Sequence, residues 1–210
     1  MKYKVMIVED QTMPRELFEL REQASERFEL ALSIDNAALV DVYCLRFPVD
    51  LILMDVITRD GENGLDAAAR IKRAFPQIKI IIVTSMPECS YLKRAKEIGV
   101  ESFWYKEEQR ESLLDVMERT MNGESVYPGA SPELTLGMAS SYQFTERELD
   151  ILREITSGDT NQEIADRLNM SVATVKTHIL NMLEKTGFRN RTELAVRARE
   201  SGLVILNRRN

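Results

Sequence analysis

The chain has 210 residues with 28 Lys+Arg against 34 Asp+Glu, a formal net charge of -6, and 44% apolar and 30% charged side chains. That apolar content offsets the entropy of ordering, so a globular protein of one large or two small domains is expected rather than a disordered chain. Apolar runs such as 51–54 and 80–83 fall far short of the roughly 18 residues of a membrane span, the start MKYKVMIVED lacks a secretory apolar stretch, and two distant cysteines with one histidine support neither a zinc site nor a disulfide framework, so a cytoplasmic protein without membrane contact is expected.

From residue 3 to about 121, short β-branched runs alternate with amphipathic stretches of helical length, the pattern of βαβ units around a parallel sheet. Strands are expected at 3–8, 28–32, 50–54, 78–83 and 101–104, and helices at 13–24, 36–46, 64–74, 88–98 and 108–121. Pro14 and Pro87 suit first helical turns, where a missing N–H costs nothing, and Gly99 suits a helix end. Residues 122–143 turn to Gly, Pro and Ser without a period and read as a linker. Thr145 with Glu148 spells a capping box that opens a helix to about Ser157, and helical patterns follow near 161–168, 172–186 and 192–201. The expectation is an α/β domain over 1–121, a five-stranded doubly wound parallel sheet, followed by a small all-α domain over 144–210.

Charge is shared unevenly. Residues 1–144 hold 17 basic and 24 acidic side chains, and 145–210 hold 11 and 10. Within 171–191, Lys176, Lys185, Arg189 and Arg191 face the single acid Glu184, a local concentration suited to a polyanion.

The acids of the first domain are placed by its topology. The first strand ends in Glu9-Asp10 and the third in Asp55, and a doubly wound sheet binds ligands beyond the carboxyl ends of its strands. Any one of these acids alone could be a turn or helix-cap residue. Clustered carboxylates repel one another unless a cation neutralises them, and oxygen ligands point to a hard divalent ion such as magnesium. Thr84-Ser85 after the fourth strand and Lys106 after the fifth add a hydroxyl and an ammonium at the same edge. An aspartate, a cation site, a hydroxyl and a lysine together suit phosphoryl transfer onto Asp55.

On these residues the first 121 positions resemble a two-component receiver domain, which implies a flavodoxin-like fold. The resemblance implies Glu9, Asp10 and Asp55 as metal carboxylates, with the backbone carbonyl of Ile57 as a further ligand. It also implies Asp55 as phosphoacceptor, Thr84 as the hydroxyl that follows the phosphoryl group, Lys106 as its counter-charge and Phe103 as an aromatic switch. Phe103 equally suits an ordinary core position. The chain departs from the family after Asp55: VITRDGENG lacks the usual Met-Pro pair and reaches Gly64 nine residues on rather than eight, and Glu107-Glu108 follow Lys106.

In the second domain, DTNQEIADRLNMSVATVKTHILNMLEKTGF contains two helices separated by Asn169-Met170-Ser171, which is helix-turn-helix spacing. Val175, Ile179, Met182, Leu183 and Thr186 form the inward series, so Lys176, Thr177, Leu180, Asn181 and Glu184 point out. That outward face carries donors, acceptors and methyl groups suited to base edges. FTERELDILREITSG, TNQEIADRL, SVATVKTHILNMLEK and RTELAV resemble the LuxR/NarL/FixJ class of DNA-binding domains over 144 to about 204. The resemblance implies base-facing roles for Lys176, Thr177 and Leu180, and phosphate contact or helix positioning for Thr174, His178, Asn181 and Lys185. His178 also suits a place against the preceding helix. The last helix, from Thr192, would pair two copies on an inverted or tandem repeat with centres about one turn apart. Thr186 stands where the family usually carries leucine, trading apolar packing for a hydroxyl.

The expected protein is a phosphorylation-controlled, DNA-binding transcription regulator that accepts a phosphoryl group from a sensor histidine kinase and dimerises on promoter DNA. It is not otherwise an enzyme, its chemistry being self-catalysed phosphoryl transfer and hydrolysis at Asp55. An orphan regulator of the same fold, binding DNA without regard to phosphate, stays open. An aspartyl-phosphate hydrolase would want a second acid where Ile57 stands.

Overall fold

The computed structural model describes residues 2–23, 25–59, 63–85, 89–106 and 111–204, and these form two compact units that change over at Gly129 and Ala130. In the first, β1 (Tyr3–Val8), β2 (Phe28–Ile34), β3 (Leu51–Met54), β4 (Lys79–Thr84) and β5 (Ser102–Tyr105) alternate with α1 (Thr12–Gln23), α2 (Val40–Arg46), α3 (Gly64–Ala74), α4 (Cys89–Ile98) and α5 (Leu113–Met121). The strands are parallel in the order β2-β1-β3-β4-β5, so strand order reverses between β1 and β3. That reversal opens a crevice at the carboxyl ends of those two strands.

The strands lack a polar face because helices cover both sides of a parallel sheet. Every residue of β3 and of β5 is buried. Val5, Ile7, Leu53, Val83 and Trp104 pack with Phe18 of α1 and Val116 and Met117 of α5 on one side. Their alternates, including Ile52, Ile82 and Phe103, are equally buried on the other.

Differences from the expected boundaries have local causes. The expected helix 36–46 opens as a 3-10 turn, Ala37–Leu39, because the Asn36 side chain caps it by accepting from Ala38 N; α2 continues from Val40. α5 starts at Leu113 rather than 108, since Ser112 accepts from Asp115 N and sets the helix start there. Residues 107–110, Pro87 and the chain beyond 204 lie outside the described residues, as do 60–62 of the loop after β3.

The stretch 122–143 is divided between the two units. Val126 O accepts from Phe103 N at 2.8 Å and Tyr127 Oη donates to Val100 O at 2.7 Å, so its beginning lies along β5. Its end forms a hairpin of β6 (Thr135–Leu136) and β7 (Ala139–Ser140) in the second unit. There α6 (Glu146–Thr156), α7 (Asn161–Arg167), α8 (Val172–Thr186) and α9 (Arg191–Ser201) follow. Both TxxE sequences form complete capping boxes, Thr145 with Glu148 and Thr160 with Glu163. Leu152, Ile164, Val175, Met182, Leu194 and Leu203 meet in the second core. No helix among the described residues is long and apolar enough to cross a membrane.

Gly64 sets the path of the loop that follows β3. Its N–H donates to Val56 O at 2.8 Å, and a Cβ at this position would lie 1.9 Å from the carbonyl oxygen of Asp55. Gly64→Ala is therefore expected to lower stability by about 3 kcal/mol or more, which urea denaturation of the full chain measures.

Candidate functional site

Four adjacent strand ends contribute to one cluster. Glu9 and Asp10 follow β1, Asp55 follows β3, Thr84 ends β4 and Lys106 follows β5. Asp55 N donates to Val8 O at 3.0 Å and Lys106 N to Thr84 O at 2.9 Å, so the sheet ladder itself delivers these side chains to a common edge. Carboxylate oxygens of Glu9, Asp10 and Asp55 all lie within 4.8 Å of one another. Lys106 Nζ stands 2.5 Å from Glu9 Oε2 and 2.9 Å from Asp55 Oδ2.

Asp55 is held from two directions. Lys106 takes Oδ2, and Val56 N donates to Oδ1 at 2.7 Å. Glu9 is oriented in the same way, with Gln11 N donating to Oε1 at 3.1 Å. Burial, and after it the Asp55 charge, push the Glu9 carboxyl up to about 7 against the opposing pull of Lys106. Burial also raises Asp55, again opposed by Lys106. Burial alone would lower Lys106, but the two acids outweigh it and hold the ammonium above its ordinary value. One cation thus faces three acids, two of them buried and Asp10 half-buried, and a hard divalent cation with oxygen ligands fits the remaining negative charge.

The loop after Asp55 is anchored despite its unusual length. Ile57 forms an isolated antiparallel bridge with Asn63, and the Asn63 side chain caps α3 by accepting from Leu65 N at 2.8 Å. Thr58 Oγ1 accepts from Ala37 N at 3.1 Å, and Arg59 pairs with Asp35 at 2.6 Å. These contacts tie the loop to the end of β2 in place of a rigid proline. Phe103 is buried, its ring 4.9 Å from that of Tyr105 and 6.4 Å from that of Tyr127.

In the second unit, Asn169 takes the left-handed conformation (φ 51) between α7 and α8, one that asparagine tolerates better than most residues. Ser171 then caps α8 by accepting from Thr174 N at 3.0 Å. Val175, Ile179, Met182 and Thr186 are buried. Thr174, Lys176, Thr177, Leu180 and Asn181 are exposed and His178 is half-buried. Thr177 Oγ1 donates to Ala173 O at 3.0 Å on this exposed face. Leu180 is 55% exposed, an apolar side chain amid polar ones on an uncovered helix face.

A profile of response regulator receiver domains matches residues 5–118, and one of bacterial regulatory proteins of the luxR family matches residues 142–198. The response regulator protein VraR of Staphylococcus aureus (strain Mu3 / ATCC 700698) is 37% identical over 163 residues, covering 74% of this chain and 76% of VraR. The chain belongs to the two-component response regulators. Its fold is shared with RcsB from Salmonella enterica serovar Typhimurium bound to promoter P1flhDC in the presence of phosphomimetic BeF3- (TM-score 0.60, 19% identity, 97% of this chain and 100% of that chain). The response regulator ChrA of a heme-sensing two-component system shares it too (TM-score 0.53, 21% identity, 97% and 99%). This response regulator therefore joins a receiver domain to a LuxR-type DNA-binding domain under phosphorylation control.

Several contacts of the regulator escape sequence reasoning. Lys185 is engaged within its own unit: Nζ donates to Glu148 Oε1 at 2.8 Å, to Glu148 Oε2 at 2.7 Å and to Gln143 O at 2.9 Å. The capping-box acid of α6 thereby also anchors the end of α8, a second role that TxxE spacing cannot reveal. The departure at Thr186 is accommodated by hydrogen bonding, with Oγ1 donating to Met182 O at 2.7 Å and its carbonyl accepting from Met138 N at 3.0 Å. Gly137 makes that approach possible, since a Cβ there would lie 2.1 Å from Thr186 O.

Burial disfavours ionised Glu148, but hydrogen bonds from Lys185 and Thr145 outweigh it and hold the carboxyl below its usual range. A lowered folded-state value contributes stability above the unfolded value of about 4.5, and that stability is lost as pH falls through the folded value. Glu148→Gln is expected to cost about 1–2 kcal/mol at pH 7 and to flatten the acid limb below pH ~4.5. Thermal unfolding followed across pH 3–7 checks both.

Proposed function

We propose that this response regulator accepts a phosphoryl group on Asp55 from a phosphohistidine of a sensor kinase and, in that state, binds promoter DNA through α8 as a homodimer. The observation that carries the reading is Lys106 bridging Glu9 and Asp55 beside Asp10 at the carboxyl edge of the sheet. In the transfer, an Asp55 carboxylate oxygen forms the new P–O bond while the P–N bond to the kinase histidine breaks, and the electron pair returns to the imidazole. Glu9, Asp10, Asp55 and the Ile57 carbonyl would hold Mg2+, which when bound supplies positive charge for the phosphoryl oxygens.

The chain's own residues do the remaining work. Val56 N and Lys106 orient the acceptor before reaction, which fixes the direction of attack. Esterification replaces one negative charge by roughly two and adds acceptor oxygens. Lys106 then pairs with the phosphoryl group, and the Thr84 hydroxyl donates to it. β4 and β5 are paired at Thr84 and Tyr105 and at Ile82 and Phe103, so Thr84 and Phe103 share one face of adjacent strands, and movement of Thr84 toward the phosphoryl group would bear on Phe103.

On DNA, Lys176, Thr177 and Leu180 face base edges, while Thr174, His178 and Asn181 lie toward the phosphates or position the helix. Lys185 acts through helix position, since its ammonium is occupied by Glu148. The face of α9 with its half-exposed Val196 is the surface for a second copy. RcsB, of the same fold, is solved as two dimers bound to two parallel DNAs.

The deciding experiment compares wild type with Asp55→Ala on duplexes selected by the wild-type chain, with and without acetyl phosphate and Mg2+, at two salt concentrations. Wild type is expected to incorporate acid-labile phosphate and bind at least about 5-fold more tightly with donor, and Asp55→Ala to do neither. Both should weaken as salt rises. Binding by wild type that ignores the donor would instead make this an orphan regulator.

A second expectation concerns the half-buried Ile57 beside the acceptor. It shields the acyl phosphate from water, so Ile57→Asn should shorten the phosphoryl lifetime several-fold. An unchanged or longer lifetime, followed by loss of label after donor removal, contradicts the shielding role.

A further inference from the structure

After α5 the chain turns at Gly123, which has φ 96, and runs back along the outer edge of β5. β5 ends the strand order, so its outward backbone groups lack a neighbouring strand in the sheet. The returning segment meets them. Phe103 N donates to Val126 O at 2.8 Å, and Val126 N donates to Ser102 Oγ at 3.1 Å. Ser102 Oγ in turn lies 2.6 Å from Thr120 Oγ1, whose hydroxyl donates to Val116 O in α5. An edge strand needs such cover, and here the chain's own continuation provides it.

Tyr127 gives that cover a connection to the acceptor site. Its ring lies 6.4 Å from the Phe103 ring, its hydroxyl donates to Val100 O at 2.7 Å, and Lys96 Nζ of α4 lies 5.1 Å from its ring centroid. Phe103, between Tyr105 and Tyr127, is only 1% exposed. Phe103 and Tyr105 are enclosed while Tyr127 is half-buried, so a Phe103 ring that moves leaves a void or displaces a neighbour, and Tyr127 is the neighbour with room to follow. Burial, and after it Glu101, keep the phenol protonated, so it remains a donor to Val100. Three residues further on, at Ala130, the second unit begins.

We propose that Tyr127 is a positioning residue that couples the state of Phe103 to the DNA-binding unit through the chain that joins them. The proposal rests on the phosphorylation reading and adds a named route for its effect. When Phe103 changes rotamer or depth, Tyr127 gains or loses its ring partner, and the segment 126–129 is held to β5 or released. Each arrangement leaves the second unit with a different length of unanchored chain. By linkage, DNA that favours one arrangement also favours the matching phosphorylation state.

The test uses the full chain in four forms: wild type, Tyr127→Ala, Tyr127→Leu, which retains an apolar bulk, and Tyr127→Phe, which retains the ring. Each is treated with acetyl phosphate and Mg2+, and three quantities are read. These are acid-labile phosphate on Asp55, emission of the single tryptophan, Trp104, which neighbours Phe103 in β5, and the ratio of DNA affinities with and without donor. The DNA is a duplex pool enriched by the wild-type chain.

Tyr127→Ala and Tyr127→Leu are expected to take up phosphate and change Trp104 emission as wild type does. Their donor-dependent affinity ratio should fall to below about 2-fold from a wild-type ratio of at least about 5-fold. Tyr127→Phe should keep at least half of the wild-type ratio on a logarithmic scale. A wild-type ratio retained in Tyr127→Leu overturns the coupling role while leaving the phosphorylation reading intact. A wild type whose affinity ignores the donor overturns that reading and this one with it. If Tyr127→Ala fails to fold, the leucine variant decides.

Discussion

The ammonium of Lys106 between Glu9 and Asp55 is the interaction on which the receiver end of the molecule depends. Its side chain is 9% exposed and those of the two acids 1% and 6%, so these charges have largely exchanged water for one another. A lone buried carboxylate would neutralise itself, and two facing each other would repel more strongly still. One lysine keeps the pair together without balancing two carboxyl groups, and Asp10 adds a third. The residual negative charge makes the pocket receptive to a divalent cation. The burial that raises both acids is also what makes positive charge favourable in the pocket.

The other unit rests on a comparable pair used for a different end. Glu148 caps α6 and grips Lys185 near the end of α8. The hairpin adds a second hold, with Met138 N satisfying the carbonyl of Thr186, one of the last helix carbonyls that lack a partner within the helix. α8 is thus fixed by its C-terminal end and its buried stripe, while its outward face remains polar and uncovered. Reading a groove requires a surface presented without movement, since each misplaced donor loses both its bond and its desolvation.

Much of this was legible beforehand where the cause is local. The runs KVMIV, LILM and KIIIV form strands because they are β-branched or bulky and bounded by polar residues, and the Thr145–Glu148 signal opens a helix where expected. The meeting of Glu9, Asp10 and Asp55 was legible because each directly follows a buried strand whose carboxyl end a doubly wound sheet brings to one edge. The start of α5 was less legible, because Ser112 competes with earlier polar residues as the cap. The character of 122–143 was hidden for a different reason: Gly, Pro and Ser describe a chain without regular period, and such a chain can still be pinned by contacts to distant elements. Lys185 was read from a local concentration of basic side chains and from the family resemblance, yet its ammonium is long enough to reach Glu148.

The sequence by itself determined the succession of strands and helices, the caps, the helix-turn-helix spacing and the chemical types at each strand end, all consequences of neighbours within about one helical turn or one strand. The tertiary structure decided which of those groups meet. Lys106 reaches Glu9 across 97 positions and Asp55 across 51, and Lys185 reaches Glu148 across 37. Contacts of that range depend on strand order and helix packing, which are selected by the burial of whole surfaces rather than by the propensity of any one segment. For the same reason Tyr127, an ordinary residue in an aperiodic stretch, acquires its place beside Phe103 only when β5 becomes the edge of a finished sheet.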